Sequence, residues 1–203
     1  MSELPLMLHG DMIEALVVGG GAVAARKTRA LLGAGALVRV IAPELGEEMR
    51  ALAAPDARLS LTRRAYADGD VGNAQLVIAA TSDRAVNRRV AAEAHAAHRL
   101  VNVASEPSLG NCRTTATHRS GDLVIGISAG GVPQAAARIR DSLAARFGDR
   151  YGAAVATLAT LRRRLVDDGQ QDEWHRAAHT LLDERFCERV ENDTFADEVG
   201  QWR

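Results

Sequence analysis

The residues whose types and spacing could do chemistry stand near the start of the chain, in VVGGGAVAARK, Val17 to Lys27. Gly19, Gly21 and Ala24 have the G-x-G-x-x-A spacing of a phosphate-binding turn, after a β-branched apolar run and before a helix-forming one. The first glycine permits a sharp turn. Gly21, without a Cβ, lets a pyrophosphate approach the backbone, and Ala24 is small enough for the helix to pack on the strand. The amides of Ala22 and Val23, at the helix N-terminus, face the negative charge. The plain alternative is a tight strand–helix turn that holds nothing. The second strand of such a fold usually ends in an acid that binds the adenine ribose. Here it ends VIAPE, so Pro43 and Glu44 occupy that neighbourhood, Glu44 two residues late. No arginine stands there to receive a 2′-phosphate, which favours NAD over NADP. Thr81 and Asn102, where later strands meet loops, complete the expected cofactor set. Asn102 can donate to a carboxamide or simply close a turn.

These residues need a scaffold of alternating strands and helices. EALVVGG reads as a buried parallel strand, and AVAARKTRALLGAG as a helix stopped by Gly33 and Gly35. ALVRVIAPE is the next strand and ELGEEMRALA a second helix with acids in its first turn. RLSLTRRAY and AQLVIAATS are further strands, joined by a short link. Ser82 or Asp83 caps the helix DRAVNRRVAAEAHAAHR, and LVNVAS is the fifth strand. The order β-α-β-α-β-β-α-β predicts an α/β, Rossmann-like parallel sheet covered on both faces. LPLMLHGDM, ahead of it, is expected to add an edge strand.

The pattern changes after Pro107. RTTATHRSGDLVIGIS reads as a hairpin turning at RSGD. A helix follows from Pro133 to Phe147, with Ala136, Ile139, Leu143 and Phe147 on one face. YGAAVATLATLRRRLVDD and DEWHRAAHTLLDERFCERV read as two more helices, packed through Trp174, Leu181, Leu182 and Phe186. The expected organisation is a dinucleotide-binding domain over 1–111, a small strand-and-helix segment over 112–149 and a helical domain over 150–203.

Composition narrows the function classes. The 203 residues carry a formal net charge of −1, which argues against a general polyanion binder and against nucleic acid as partner. The Arg162–Arg164 run is followed by Asp167 and Asp168 and has no interleaved aromatics, so it reads as a solvated helix face. Cys112 and Cys187 lack metal-ligand spacing and fit a reducing cytosol. No apolar run approaches a membrane span, and the N-terminus lacks the pattern of a signal peptide, so a cytoplasmic protein is expected. His175 and His179, at i and i+4, have no accompanying carboxylate motif and read as surface residues.

Beyond the glycine turn, the chain resembles the precorrin-2 dehydrogenase family, the dehydrogenase and ferrochelatase module of siroheme synthases. The resemblance is carried by VVGGGAVAARKTRALLGAGALVRVIAPE, ATSDRAVN, NVASEP and ISAGG followed by AARIR, over about residues 4 to 147. It implies oxidation of the tetrapyrrole precorrin-2 to sirohydrochlorin with NAD as hydride acceptor, metal insertion in some members, and a homodimer interlaced through the middle segment. It also marks two departures. The family's N-V-x-D-x-P aspartate, regarded as its key residue, is Ser105 here, and a serine hydroxyl is a poor general base unless activated. An apolar, aromatic stretch is replaced by Cys112, Arg113, Thr114 and Thr115.

The catalytic candidates are therefore Ser105, the adjacent Glu106, and His118 in the hairpin. Arg113, Ser128, Gly130, Gly131 and Arg138 are the substrate-side candidates, since a polycarboxylate needs cations and backbone donors. Arg119 and Arg140 are further cations near in sequence. A non-catalytic protein that binds NAD or a tetrapyrrole is the competing reading, and Ser105 is the feature that favours it.

Overall fold

The computed structural model describes residues 3–53 and 57–202. It divides into two compact units, Met1–Thr114 and Thr115–Arg203. The hairpin and the helix after it thus share a unit with the C-terminal helices, while residues 112–114 belong to the first.

The first unit is built on a five-stranded parallel sheet in the order β3-β2-β1-β4-β5. Its strands are β1 Glu14–Val18, β2 Leu37–Ala42, β3 Leu59–Arg63, β4 Leu76–Ala79 and β5 Leu100–Val103. Helices α1 (Ala22–Gly33), α2 (Glu47–Ala53) and α3 (Arg84–Ala96) connect them. Side chains alternate across the strands, so β1 feeds both layers. Ala15 and Val17 join α1 and α2 in one core, with Val38, Val40 and Ile78. Leu16 and Val18 join α3 in the other, with Val77, Val90 and Val101. Connections leave β1 and β4 in opposite directions along the sheet, which opens a crevice at their carboxyl ends.

Caps and turns agree with the sequence. Asp83 Oδ1 accepts from the amides of Ala85 and Val86 at 2.8 and 3.2 Å and starts α3. Gly35, at φ +93°, ends the α1 connection. The expected edge strand ahead of β1 does not form. Residues 3–9 belong to no strand, and a 3-10 turn over Gly10–Met12 precedes β1. The physical reason lies at Gly10. Any Cβ there would fall 2.0 Å from the Ala34 carbonyl oxygen, so the chain is seated against the end of α1 and not against a sheet edge.

The link between β3 and β4 is long and ordered by two carboxylates. Asp70 accepts from both Arg64 guanidinium nitrogens at 2.6 Å and from the Ala67 amide at 2.7 Å. Glu93 of α3 accepts from the Tyr66 hydroxyl and from the amides of Gly69 and Val71.

The second unit begins with the hairpin of β6 (Ala116–Ser120) and β7 (Leu123–Ile127), antiparallel and closed by Gly121-Asp122 with Gly121 at φ +54°. Helices α4 (Pro133–Arg146), α5 (Asp149–Asp167), α6 (Gln171–Leu181), α7 (Phe186–Glu191) and α8 (Phe195–Gly200) follow. Tyr151, Leu161, Leu165, Ala177, Leu181, Val190 and Phe195 form the core.

Three expectations change here. The long helix expected over 172–190 breaks after Leu181. Arg189, 8 % exposed, donates to the Leu181 carbonyl and pairs with Asp183 and Glu198, which draws α7 across the end of α6. Leu182 consequently leaves the core at 48 % exposure, whereas Trp174 and Phe186 pack against it. Of the apolar face expected on α4, only Ala136 is buried, and Ile139 is 46 % exposed.

Candidate functional site

The glycine turn joins β1 to α1 and divides its work among three residues. Gly19 lies at φ +131°, and a Cβ there would approach the Ala80 carbonyl oxygen to 2.4 Å. Gly20 has no positive φ, yet its Cβ would sit 2.0 Å from the Glu44 carbonyl oxygen, and its own carbonyl accepts from the Gly46 amide at 2.9 Å. It therefore fastens the turn to the segment after β2, a role the motif does not announce. Gly21 differs from both. At φ −82° it needs no glycine for its conformation, and a Cβ would meet nothing within 4 Å. It caps α1 with no side-chain hydrogen bond, and no acid stands in the first turn. Ala22 and Val23 are exposed above it, while Ala24 is fully buried against the sheet.

This is open space in front of the amides at a helix N-terminus, kept clear by a glycine that nothing else requires. The residues present fit a dinucleotide pyrophosphate. Pro43 and Glu44 are exposed beside the turn, where an adenine ribose would lie.

Across the crevice, Asn87 of α3 organises two loops. It is fully buried, and its Oδ1 accepts from the Thr81 amide at 3.1 Å. The Thr81 hydroxyl lies 2.9 Å from both Asn87 Oδ1 and the Asp83 carbonyl. Asn87 Nδ2 donates to the Thr81 carbonyl at 3.0 Å and to Ser105 Oγ at 3.1 Å. Thr81 is thus committed to the scaffold through amide, hydroxyl and carbonyl. Ser105 is exposed, and because its oxygen accepts from Asn87, its own proton is free to be donated outward.

Glu106 points back to α3. Its Oε1 accepts from Arg88 at 2.9 Å, and the guanidinium holds its carboxyl below the usual carboxylate range. Glu106 Oε2 is buried without a hydrogen-bond partner.

After this loop the chain folds back along β5. The amides of Asn111 and Cys112 donate to the Val101 carbonyl, and Asn111 Oδ1 accepts from the Val101 amide at 2.7 Å. Gly110 is obligatory, since its Cβ would come 2.6 Å from Val101 O. Cys112 is thereby set against the α1 side of the sheet, where its carbonyl accepts from Asn102 Nδ2 at 3.2 Å. Lys27 of α1 reaches the same place and donates to Thr114 Oγ1 at 2.9 Å. Burial lowers the Lys27 pKa, with Arg26 nearby adding to the effect, and burial raises that of the Cys112 thiol.

The first unit therefore gathers Gly19, Gly21, Ala22, Val23, Pro43, Glu44, Asn102, Ser105 and Glu106 around the carboxyl ends of its strands. Arg113 is exposed and pairs with Glu3 at 3.4 Å. His118, Ser128, Gly130, Gly131 and Arg138 belong to the second unit. There His118 Nε2 lies 2.7 Å from the Phe147 carbonyl, which requires the Nε2–H tautomer and fastens β6 to the end of α4. Gly130 and Gly131, at φ +55° and +83°, form the bend before α4, so the backbone by itself demands glycine there. Arg138 is exposed.

Three residues escaped the sequence reading: Gly20, Asn87 and Lys27. Gly20 and Lys27 lie inside the glycine stretch, and Asn87 closes ATSDRAVN, so their neighbourhoods were legible. Their partners at Glu44, Ser105 and Thr114 were not. His175 and His179 are exposed, and among the described residues no cluster of three or more His, Cys, Asp or Glu could hold a metal ion.

Comparison with known proteins agrees with this geometry. A family model described as "Putative NAD(P)-binding" matches residues 6–116. A siroheme synthase of Pseudomonas fluorescens (strain Pf0-1) is 39% identical over 177 residues, 84% of this chain and 38% of that protein. A siroheme synthase of Saccharophagus degradans is 33% identical over 200 residues, 98% of this chain and 42% of that protein. The solved structure of "SirC, precorrin-2 dehydrogenase" superposes with a TM-score of 0.79 at 26% identity, covering 98% of both chains.

The chain belongs to the precorrin-2 dehydrogenase family of NAD(P)-binding proteins. It spans well under half the length of the siroheme synthases it matches. Membership in this family accounts for the glycine turn and for the strand order. It leaves the serine at 105 and the segment Cys112–Thr115 as features to be explained by this chain's own contacts.

Proposed function

We propose that this protein catalyses the NAD-dependent oxidation of precorrin-2 to sirohydrochlorin, in siroheme or cobalamin formation. The observation that carries the reading is Gly21. Its open surroundings answer to a ligand and to no need of the fold. The likeness to SirC along nearly the whole chain supplies the reaction class.

Oxidation of the substrate removes a hydride from a ring carbon and releases a proton. When bound, NAD supplies the hydride acceptor. The amides of Ala22 and Val23 would hold its diphosphate, and Glu44 its ribose. Ser105, holding Asn87 as donor, presents its own O–H to the substrate and orients it. Glu106 is the carboxylate that this loop offers for the proton, although Arg88 makes it a weak base. His118, committed to Phe147, serves the hairpin. In the first unit, Arg113 is the cation offered to the substrate carboxylates.

The protein acts in the cytoplasm as a homodimer paired through its middle segment. Support comes from a two-stranded hairpin whose outer edges are unpaired among the described residues and from Val132 and Ile139, exposed by 52 % and 46 %. Metal insertion is a lesser expectation, because the family aspartate is absent.

The test is to mix protein, precorrin-2 and NAD anaerobically and follow absorbance of NADH. Appearance of NADH in proportion to enzyme is the expected result. A rate no higher than that of heat-killed protein rejects the enzyme. Ser105 favours a second reading, a protein that binds NAD or a tetrapyrrole without turnover; calorimetric binding without any NADH formation would establish it.

A further inference from the structure

The loop carrying Ser105 and Glu106 rests on one side of α3, where two helix residues hold it. Asn87 Nδ2 donates to Ser105 Oγ at 3.1 Å, and Arg88 donates to Glu106 Oε1 at 2.9 Å. Arg84 stands three residues before Asn87 and four before Arg88. It therefore lies on the same side of the helix, one turn, about 5.4 Å, nearer the N-terminus. That end of α3 follows the carboxyl end of β4, so the direction leads toward the crevice. Long helical side chains lean toward the N-terminus, and Arg84 is exposed. Its charge is felt at Glu106, whose carboxyl is held low by Arg88 first and by Arg84 in addition.

The fold gives no reason for a cation at this place. The N-terminus of a helix is its positive end, and an arginine there is electrostatically unfavourable. The first turn of α3 holds no acid to offset it. The cap, Asp83, uses Oδ1 on the amides of Ala85 and Val86. Among the described residues Arg84 has no hydrogen bond and no ion pair. Other cations of this unit differ: Arg88 pairs with Glu106, Arg89 with Asp68 and Arg113 with Glu3. Arg88 and Glu106 neutralise each other, so Arg84 leaves a net positive charge beside the exposed Ser105 hydroxyl.

A guanidinium with its fork of donors unused matches a carboxylate. The cofactor diphosphate belongs to the turn after β1. A tetrapyrrole whose ring carbon must come to position 105 brings its ring carboxylates past α3.

We propose that Arg84 binds a carboxylate side chain of the tetrapyrrole substrate and so seats the ring against Ser105. The inference rests on the tetrapyrrole reading above and adds to Arg113 a cation from a different element.

The test uses the full chain and two readouts. In steady-state assays with precorrin-2 and NAD, Arg84→Gln should raise KM for precorrin-2 roughly tenfold and leave kcat within about twofold, the lower end of what a hydrogen bond to a charged group contributes. Arg84→Lys keeps the charge and loses the fork, so its KM should fall between those of the native protein and Arg84→Gln. Arg89→Gln, on the same helix but paired with Asp68, should leave KM as it is. The second readout is direct binding of uroporphyrin, a tetrapyrrole with acetate and propionate side chains, followed by its fluorescence. The same order of affinities is expected. Calorimetric NAD affinity within about twofold of native in every variant reports that the proteins are folded and that Arg84 does not serve the cofactor.

An unchanged KM in Arg84→Gln overturns the proposal, and KM decides if the two readouts differ. An equal rise in Arg89→Gln, or a loss of NAD affinity as large as the loss for substrate, overturns it as well. Uroporphyrin binding that depends on Arg84, without NADH formation by the native protein, would reject the oxidation and sustain this contact. A native protein that neither forms NADH nor binds uroporphyrin removes the tetrapyrrole reading and this contact together.

Discussion

Ser105 decides how this chain differs from its family, and its contacts say what the change does. Asn87 Nδ2 donates to position 105 from a fully buried, fully used side chain. A carboxylate at 105 would find that donor already in place, whereas the serine keeps only a hydroxyl proton to offer. Ser105→Asp is therefore expected to raise the rate of NADH formation by about a hundredfold, the lower end of general-base contributions. Steady-state kinetics at neutral pH check this. An unchanged rate would show that the proton leaves by a route that does not pass position 105. The identity at 105 was plain from the sequence. The donor behind it was not, because it comes from a helix 18 residues upstream.

Within the β1–α1 element, adjacent glycines have separable duties. Gly20→Ala forces a Cβ to 2.0 Å from a backbone oxygen and should cost roughly 2–3 kcal/mol, read as a lower urea midpoint. Gly21→Ala places its methyl in open space at an ordinary φ, so the midpoint should hardly move while NAD affinity falls. Equal stability losses from the two variants would refute this division.

The β3–β4 link responds to acid for a definable reason. Hydrogen bonds from Arg64 foremost depress the Asp70 pKa in the folded protein. A depressed carboxyl contributes stability above its unfolded value, about 4, and loses it as pH falls through the lower folded value. The native protein should therefore exceed Asp70→Asn in urea midpoint at pH 7. The gap should narrow as pH is lowered below about 4.

At the scale of the whole molecule, the second unit leaves apolar side chains such as Val132 and Ile139 exposed. A two-stranded hairpin is a marginal structure alone, and here α4 buries only Ala136 while Ile139 remains exposed. Sedimentation velocity is expected to give twice the chain mass, and Ile139→Glu is expected to shift the protein to monomer. A native monomer at micromolar concentration would reject the dimer.

Periodicity and turn chemistry made most of the first unit legible. Buried parallel strands read as continuous apolar runs, as in LVIA, and glycines mark where the backbone must turn. The misreadings share one cause. The missing edge strand depends on where Gly10 meets Ala34, the broken C-terminal helix on Arg189 reaching Leu181, and the exposed Leu182 on that break. The sequence by itself determined the parallel sheet, the phosphate turn and the family, because these rest on local pattern. Only the tertiary structure decided that Gly20 fastens a turn, that Ser105 accepts from Asn87, and that Lys27 donates to Thr114. Those facts depend on which atoms distant segments bring within hydrogen-bond reach, and spacing along the chain does not encode that distance.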